Sequence, residues 1–255
     1  MAGLNLSAPQ TTERVYLNHQ PRSVALVAMG PSITDFIQDT LTQELKPGWV
    51  DEVWAINMAA NGIHHDVVFW MDDLVSQNAF RPGLMQLLNQ RGKPVVTSVR
   101  HPEIVPTSYD YPAQEVTQLG WQVFGRPYLN NGVVMAVAYA LWKGVKELRI
   151  YGADFTYPNR NYAEAGRACI EAWIVFCTLQ GMQVKISGSS SLFDAYGNNQ
   201  GIYGFREQPE FLMPDGTRCK FIKSAEHPMP LNYVPEDSSG IHPDGQAEPM
   251  AAVVG

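Results

Sequence analysis

From Ser23 onward, short β-branched and apolar runs alternate with longer segments of helical period. That alternation confines the chain to parallel strands joined by crossover helices. Val24-Ala25-Leu26-Val27-Ala28, within a first strand from Ser23 to Met29, is apolar without a break, as a central strand covered on both faces should be. After Gly30-Pro31-Ser32, the residues Ile33, Phe36, Ile37, Leu41 and Leu45 form one apolar stripe, so a helix follows and ends before Pro47-Gly48. Glu52 to Ile56 and Val67 to Met71 read as the next strands. A helix from Leu74 to Arg91 is interrupted near Pro82, and Val95 to Val99 supplies a fourth strand.

His101 to Gly120 carries three prolines and two tyrosines with no clear period, which predicts an irregular excursion of the kind that lids a site. Trp121 to Phe124 reads as a short strand, and Gly132 to Lys143 as a helix stopped by Gly144. Glu147 to Gly152 is a strand, Ala163 to Gln180 a deeply packed helix, and Gln183 to Ser187 the strand that closes the sheet. Ile202 to Phe205, Phe211 to Met213 and Cys219 to Ile222 then read as antiparallel hairpin segments.

The expected fold is therefore α/β: a doubly wound, mostly parallel Rossmann-like sheet over residues 23–190. It carries an N-terminal extension at 1–22 and a small C-terminal β-hairpin appendage at 191–234. Residues 235–255, rich in Pro, Gly, Ser, Asp and Glu, read as a mobile tail.

Composition narrows the function classes. The 255 residues are 45% hydrophobic and 17% charged, an ordinary globular balance. A net charge of -7 with scattered basic residues offers no stripe for a nucleic-acid backbone. Cys169, Cys177 and Cys219 read as reduced core thiols of a cytoplasmic protein. Met1 to Gln20 lacks the features of a signal peptide and no stretch is apolar enough to span a bilayer, so neither secretion nor membrane insertion is expected. A homo-oligomer is left open.

In an open parallel sheet, ligands sit beyond the carboxyl ends of the strands, so the residues there are the candidates. Gly30, Pro31 and Ser32 fit a phosphate approach at a helix start, or a plain turn. Asn57 offers a neutral donor and acceptor, or caps the next turn. Asp72 and Asp73 are either N-cap residues or holders of a divalent ion. Asp154 and Phe155 could grip ribose and ring, or serve the fold alone. Asn130-Asn131-Gly132 opens a helix whose free amides would form an anion site, or is simply a cap. In the loop from Thr156 to Tyr162, either Tyr157, Arg160 and Tyr162 could reach a phosphate oxygen or the loop is a solvated surface segment. There is no histidine metal spacing, nucleophile elbow or Walker loop.

Taken in order, Gly30-Pro31-Ser32, Ala55-Ile56-Asn57, Gly62 to Val68 leading to Asp72, Asn131-Gly132-Val133-Val134-Met135, Leu141 to Tyr151, Gly152-Ala153-Asp154-Phe155 and Tyr162-Ala163 form a pattern. It resembles the superfamily joining hydroxymethylpterin pyrophosphokinase-like proteins, motility accessory factor glycosyltransferases and bacterial lipooligosaccharide sialyltransferases. The likeness runs from Ser23 to Ser187. It implies that Gly30, Pro31 and Ser32 contact nucleotide phosphate or sugar, Asn57 the nucleotide, Asn131 and Gly132 the phosphate, and Asp154 with Phe155 the ribose and base. Tyr162 matches a tyrosine that helps the leaving phosphate depart. The sialyltransferases place a histidine base downstream of that tyrosine, whereas here none occurs until His227, which leaves the base unassigned.

The expectation is a glycosyltransferase using a nucleotide sugar, of CMP-nonulosonate type, with Tyr162 and Asp154 as catalytic residues and an unknown acceptor. An alternative is diphosphoryl transfer from ATP to a small heterocyclic alcohol, with Asp72, Asp73 and Asp154 around Mg²⁺. A non-catalytic nucleotide-binding or interaction protein is the third reading.

Overall fold

In the computed structural model, the described residues are 14–41, 49–193, 210–212, 216 and 218–220. Strands β1 (Ser23–Val27), β2 (Glu52–Ile56), β3 (Val67–Trp70), β4 (Val95–Thr97), β5 (Ser108–Asp110), β6 (Glu147–Tyr151) and β7 (Gln183–Ile186) build one sheet of 7 strands in the order β5-β4-β3-β2-β1-β6-β7. Every neighbouring pair is parallel, and Val27 at the end of β1 aligns with Ala55 on one side and Tyr151 on the other.

The strands alternate between two cores, as the pleat requires. Val24, Leu26, Trp54, Ile56, Val67, Phe69, Leu148 and Ile150 face α5 (Ala113–Phe124), α6 (Gly132–Lys143) and α7 (Arg160–Leu179). Ala25, Val27, Ala55, Val68 and Trp70 face α1 (Ile33–Leu41), α2 (Ala59–Gly62), α3 (Leu74–Phe80) and α4 (Leu84–Arg91). This is the doubly wound architecture expected from the continuous apolar strands. The chain before β1 straps the far end of the sheet: His19 hydrogen-bonds Glu52 at 2.8 Å and the Tyr139 hydroxyl at 3.0 Å.

Several expectations need correction. Residues 101–124 do not form an irregular lid followed by a strand. They contain β5 at the sheet edge and the 12-residue helix α5, and Trp121 to Phe124 is that helix's last turn, closed by Gly125 in the left-handed region. The helical period is diluted because α5 buries little besides Val116 and Gly120, the glycine lying against the Trp173 ring. Arg160 and Tyr162 belong to the first turn of α7 rather than to the preceding loop. The short strands β8 (Glu210–Leu212) and β9 (Arg218–Lys220) pair antiparallel, whereas Ile202 to Phe205, Leu45 and the expected tail lie outside the described residues.

Candidate functional site

The strand order reverses between β1 and β6, and at such a point the connecting loops diverge to opposite faces and leave a crevice at the carboxyl ends. Here the crevice floor is knitted tightly. The Gly30 amide donates to Gly152 O at 2.7 Å and the Ser32 amide to Asp154 Oδ2 at 2.7 Å, while the Gly152 amide donates to Ser32 Oγ at 2.9 Å. The Ser191 hydroxyl donates to the Asp154 carbonyl. A Cβ on Gly30 would lie 2.4 Å from Asp154 Oδ2, and one on Gly152 would lie 2.1 Å from Ala28 O, so neither position tolerates a side chain.

Above this floor opens a cleft of about 400 Å³, and Gly30, Asn57, Asn131 and Asp154, distant in sequence, all line it. Pro31, Gly132, Phe155, Tyr157, Tyr162 and Asp72 line it too. Ser32 and Asp73 do not. Ser32 is 1% exposed, and its amide and hydroxyl are both consumed by the β6 loop, so its contribution is to hold Asp154 and Gly152 in place. Asp73 caps α3: its Oδ1 accepts from the Ser76 amide at 2.8 Å and its Oδ2 faces His101 Nε2 at 3.1 Å. Bonds from the Ser76 amide and hydroxyl, then from His101, draw the Asp73 carboxyl down to about 2. Arg160 also lies off the cleft, pairing with Glu164 at 3.2 Å.

The cleft is lined by acceptors short of partners. Asp154 is 3% exposed and only Oδ2 is satisfied, whereas its Oδ1 and the Asn57 Oδ1 are buried without a hydrogen bond. An orphaned buried acceptor costs about 1–3 kcal/mol unless something donates to it. Asn57 and Phe155 sit at φ 52 and φ 50, a left-handed backbone that asparagine tolerates and phenylalanine does not favour. Strain of this kind gathers where a site demands a particular orientation.

At the opposite wall, α6 begins. Asn131 is its N-cap, with Oδ1 accepting from the Val134 amide at 3.0 Å, and its Nδ2 donates to Asn130 Oδ1. The next amides, of Gly132 and Val133, have no partner within a helix and lie on the cleft at the positive end of the helix dipole. Of the alternatives the sequence left open, the cap is formed by Asn131, and the helix itself does not use the amides of the next two residues. Among the described residues lining the cleft there is no lysine, arginine or histidine, and the two carboxylates are Asp72 and Asp154.

An aromatic wall closes one side. The Phe155 ring lies directly on Gly166 of α7, where a Cβ would come within 2.5 Å of it. Tyr157 packs edge-on against Phe155 at 6.2 Å and against Tyr162 at 5.2 Å. Burial pushes the Tyr157 phenol up, so it keeps its proton at neutral pH. Tyr162, on the first turn of α7, is 57% exposed and available to a ligand.

No family model matches the chain, and no curated protein matches it. Solved structures with a similar course of chain include the sialyltransferase CstII from Campylobacter jejuni in complex with CMP-3FNeuAc, at 16% identity, covering 80% of this chain and 95% of that one, with a TM-score of 0.45. Another is the same enzyme with cytidine-5'-monophosphate, at 14% identity, 80% and 96% coverage and a TM-score of 0.44.

Sequence reasoning did not single out Gly166, although a glycine inside an apolar helix signals close packing. It also gave Gly152 no role of its own, because the clash it avoids is with a strand far away in sequence. Among the described residues, no group of three or more His, Cys, Asp or Glu is placed to hold a metal ion, and no helix is long and apolar enough to cross a membrane. Cys169 and Cys177 are buried and unpaired.

Proposed function

We propose that the protein is a glycosyltransferase that binds a nucleotide-activated sugar in this cleft. One observation carries the reading: the α6 amides and the unsatisfied Asp154 carboxylate oxygen face one crevice at the strand-order reversal, with no cationic side chain among its described lining. The amides suit a phosphate. The orphaned acceptors of Asp154 and Asn57 suit hydroxyl and amine donors of ribose and base, and the Phe155 ring offers a face for the base.

Charge favours one phosphate over two. A helix N-terminus presents about half a positive charge, enough to settle a monoanionic phosphodiester but poorly matched to a diphosphate without cations. A nucleoside monophosphate sugar is therefore the donor class, and the residue order from Gly30 to Tyr162 resembles that of enzymes using CMP-nonulosonates. In the reaction the bond between the anomeric carbon and the phosphate oxygen breaks, and its electron pair goes to that oxygen. The Gly132 and Val133 amides and the Tyr162 hydroxyl stabilise the charge that develops there.

Magnesium-dependent diphosphoryl transfer fits less well, since Asp73 is committed to capping α3 and Asp154 to the Ser32 amide. The test is thermal shift and calorimetry with CMP, UDP, GDP and ATP, with and without Mg²⁺. CMP should raise the melting temperature most, and chelator should not change its effect. At a hundredfold excess over Kd the gain is about 2.7 kcal/mol. If no nucleotide or nucleotide sugar stabilises the protein, the reading is wrong.

A further inference from the structure

The reaction above leaves the acceptor's proton without a destination. The titratable side chains on the cleft are Asp72, Asp154, Tyr157 and Tyr162. Asp154 is buried and anchored to the Ser32 amide, Tyr157 holds its proton, and Tyr162 serves the leaving phosphate as a donor. Asp72 is the remaining carboxylate: unlike Asp154 it is exposed, and it makes no hydrogen bond or ion pair with any described residue.

Asp72 stands at the bend between β3 and α3 and lines the cleft, whereas its neighbour Asp73 turns its carboxylate onto α3 as the N-cap. Asp72 shares the cleft with Gly132 and Val133, the first residues of α6. A carboxylate without a partner among the described residues thus lines the same cleft in which the phosphate ester would lie.

We propose that Asp72 is the general base of the transfer; this rests on the nucleotide-sugar reading. The acceptor hydroxyl gives its proton to the Asp72 carboxylate as its oxygen bonds to the anomeric carbon. The bond from that carbon to the phosphate oxygen breaks, and the nucleoside monophosphate leaves with the electron pair. The proton on Asp72 then passes to solvent, to which the residue is open. No metal ion is needed for any of these steps.

The experiment compares wild type, Asp72→Asn and Asp72→Ala. CMP affinity is measured by calorimetry, and CMP release from CMP-N-acetylneuraminate is followed with water and with unmodified glycosides as acceptors. Asp72→Asn should bind CMP within a few-fold of wild type yet turn over about 100-fold more slowly, the scale of a lost general base. Formate should restore part of the turnover of Asp72→Ala, and EDTA should leave wild type unaffected. Turnover of Asp72→Asn within threefold of wild type overturns the base assignment and leaves the nucleotide-sugar reading standing. Abolition of wild-type turnover by EDTA, reversed by Mg²⁺, makes Asp72 a metal ligand and likewise overturns it. A wild type that neither binds CMP nor releases it from the donor removes both.

Discussion

The Ser32 amide donates to Asp154 Oδ2 at 2.7 Å across 122 residues of chain, joining the loop after the first strand to the loop after the sixth. This bond fixes the carboxylate while leaving its other oxygen on the cleft without a partner. Asp154→Ala should orphan the Ser32 amide and destabilise the protein by about 1–3 kcal/mol in chemical denaturation. Asp154→Asn keeps an acceptor for that amide, so its stability should stay near wild type. Calorimetry should nevertheless show weaker CMP binding, because an amide nitrogen would replace the free oxygen. Equal affinity in Asp154→Asn and wild type would remove Asp154 from the ligand site.

Asn131 serves the helix and, on our reading, the phosphate. Asn131→Asp separates the two. Aspartate caps as well as asparagine and complements the helix dipole, so the melting temperature should hold or rise. A new negative charge beside the anion site should meanwhile weaken CMP binding more than tenfold, given that unit charges at 4 Å repel by about 4 kcal/mol at intermediate dielectric. Stronger or unchanged binding would mean that α6 does not receive the phosphate.

Gly166 lets the Phe155 ring lie on α7, and a Cβ there would meet ring carbons at 2.5 and 2.6 Å. Gly166→Ala should therefore displace the ring toward the cleft. Alanine gains about 1 kcal/mol of helix propensity over glycine, which offsets part of the clash. The expected result is a small change in melting temperature with CMP affinity reduced about tenfold, or ~1.4 kcal/mol. Unaltered affinity would show that Phe155 does not contact the nucleotide.

The α3 cap gives a pH prediction. Asp73 has a carboxyl lowered from 3.8 to about 2, held first by the Ser76 amide. For a lowered carboxyl the stabilisation is complete above the unfolded value and is lost as pH falls through the folded one. Wild type should be more stable than Asp73→Asn at pH 5, and the gap in melting temperature should shrink between pH 4 and pH 2. A gap that widens with acidification would contradict the cap's charge.

Much of the architecture was legible from Ser23 onward because hydrophobic period is a local property. A continuous apolar run such as Val24 to Ala28 must be covered on both faces, and a stripe such as Ile33, Phe36 and Ile37 must face a core. Strand ends follow from those runs, which is why Gly30, Asn57 and Asp154 were identifiable as site candidates, while Asn131 was identifiable as the opening of a helix. The helix α5 was not legible, since Gln, Thr and Gly120 blur its period and Gly120 is explained only by Trp173 packing on it.

By itself, then, the sequence determined the order of strands and helices apart from β5 and α5, the two-faced sheet and the polar residues at the strand ends, all set by neighbours within a few positions. Tertiary structure alone decided that β6 lies beside β1, and with it the crevice, the burial of Ser32, the need for glycine at 152 and 166, and which carboxylate of Asp72-Asp73 turns to the cleft. The reason is physical: pairing across the sheet and close contact between distant backbones depend on how the whole chain packs, and no local pattern of side chains records them.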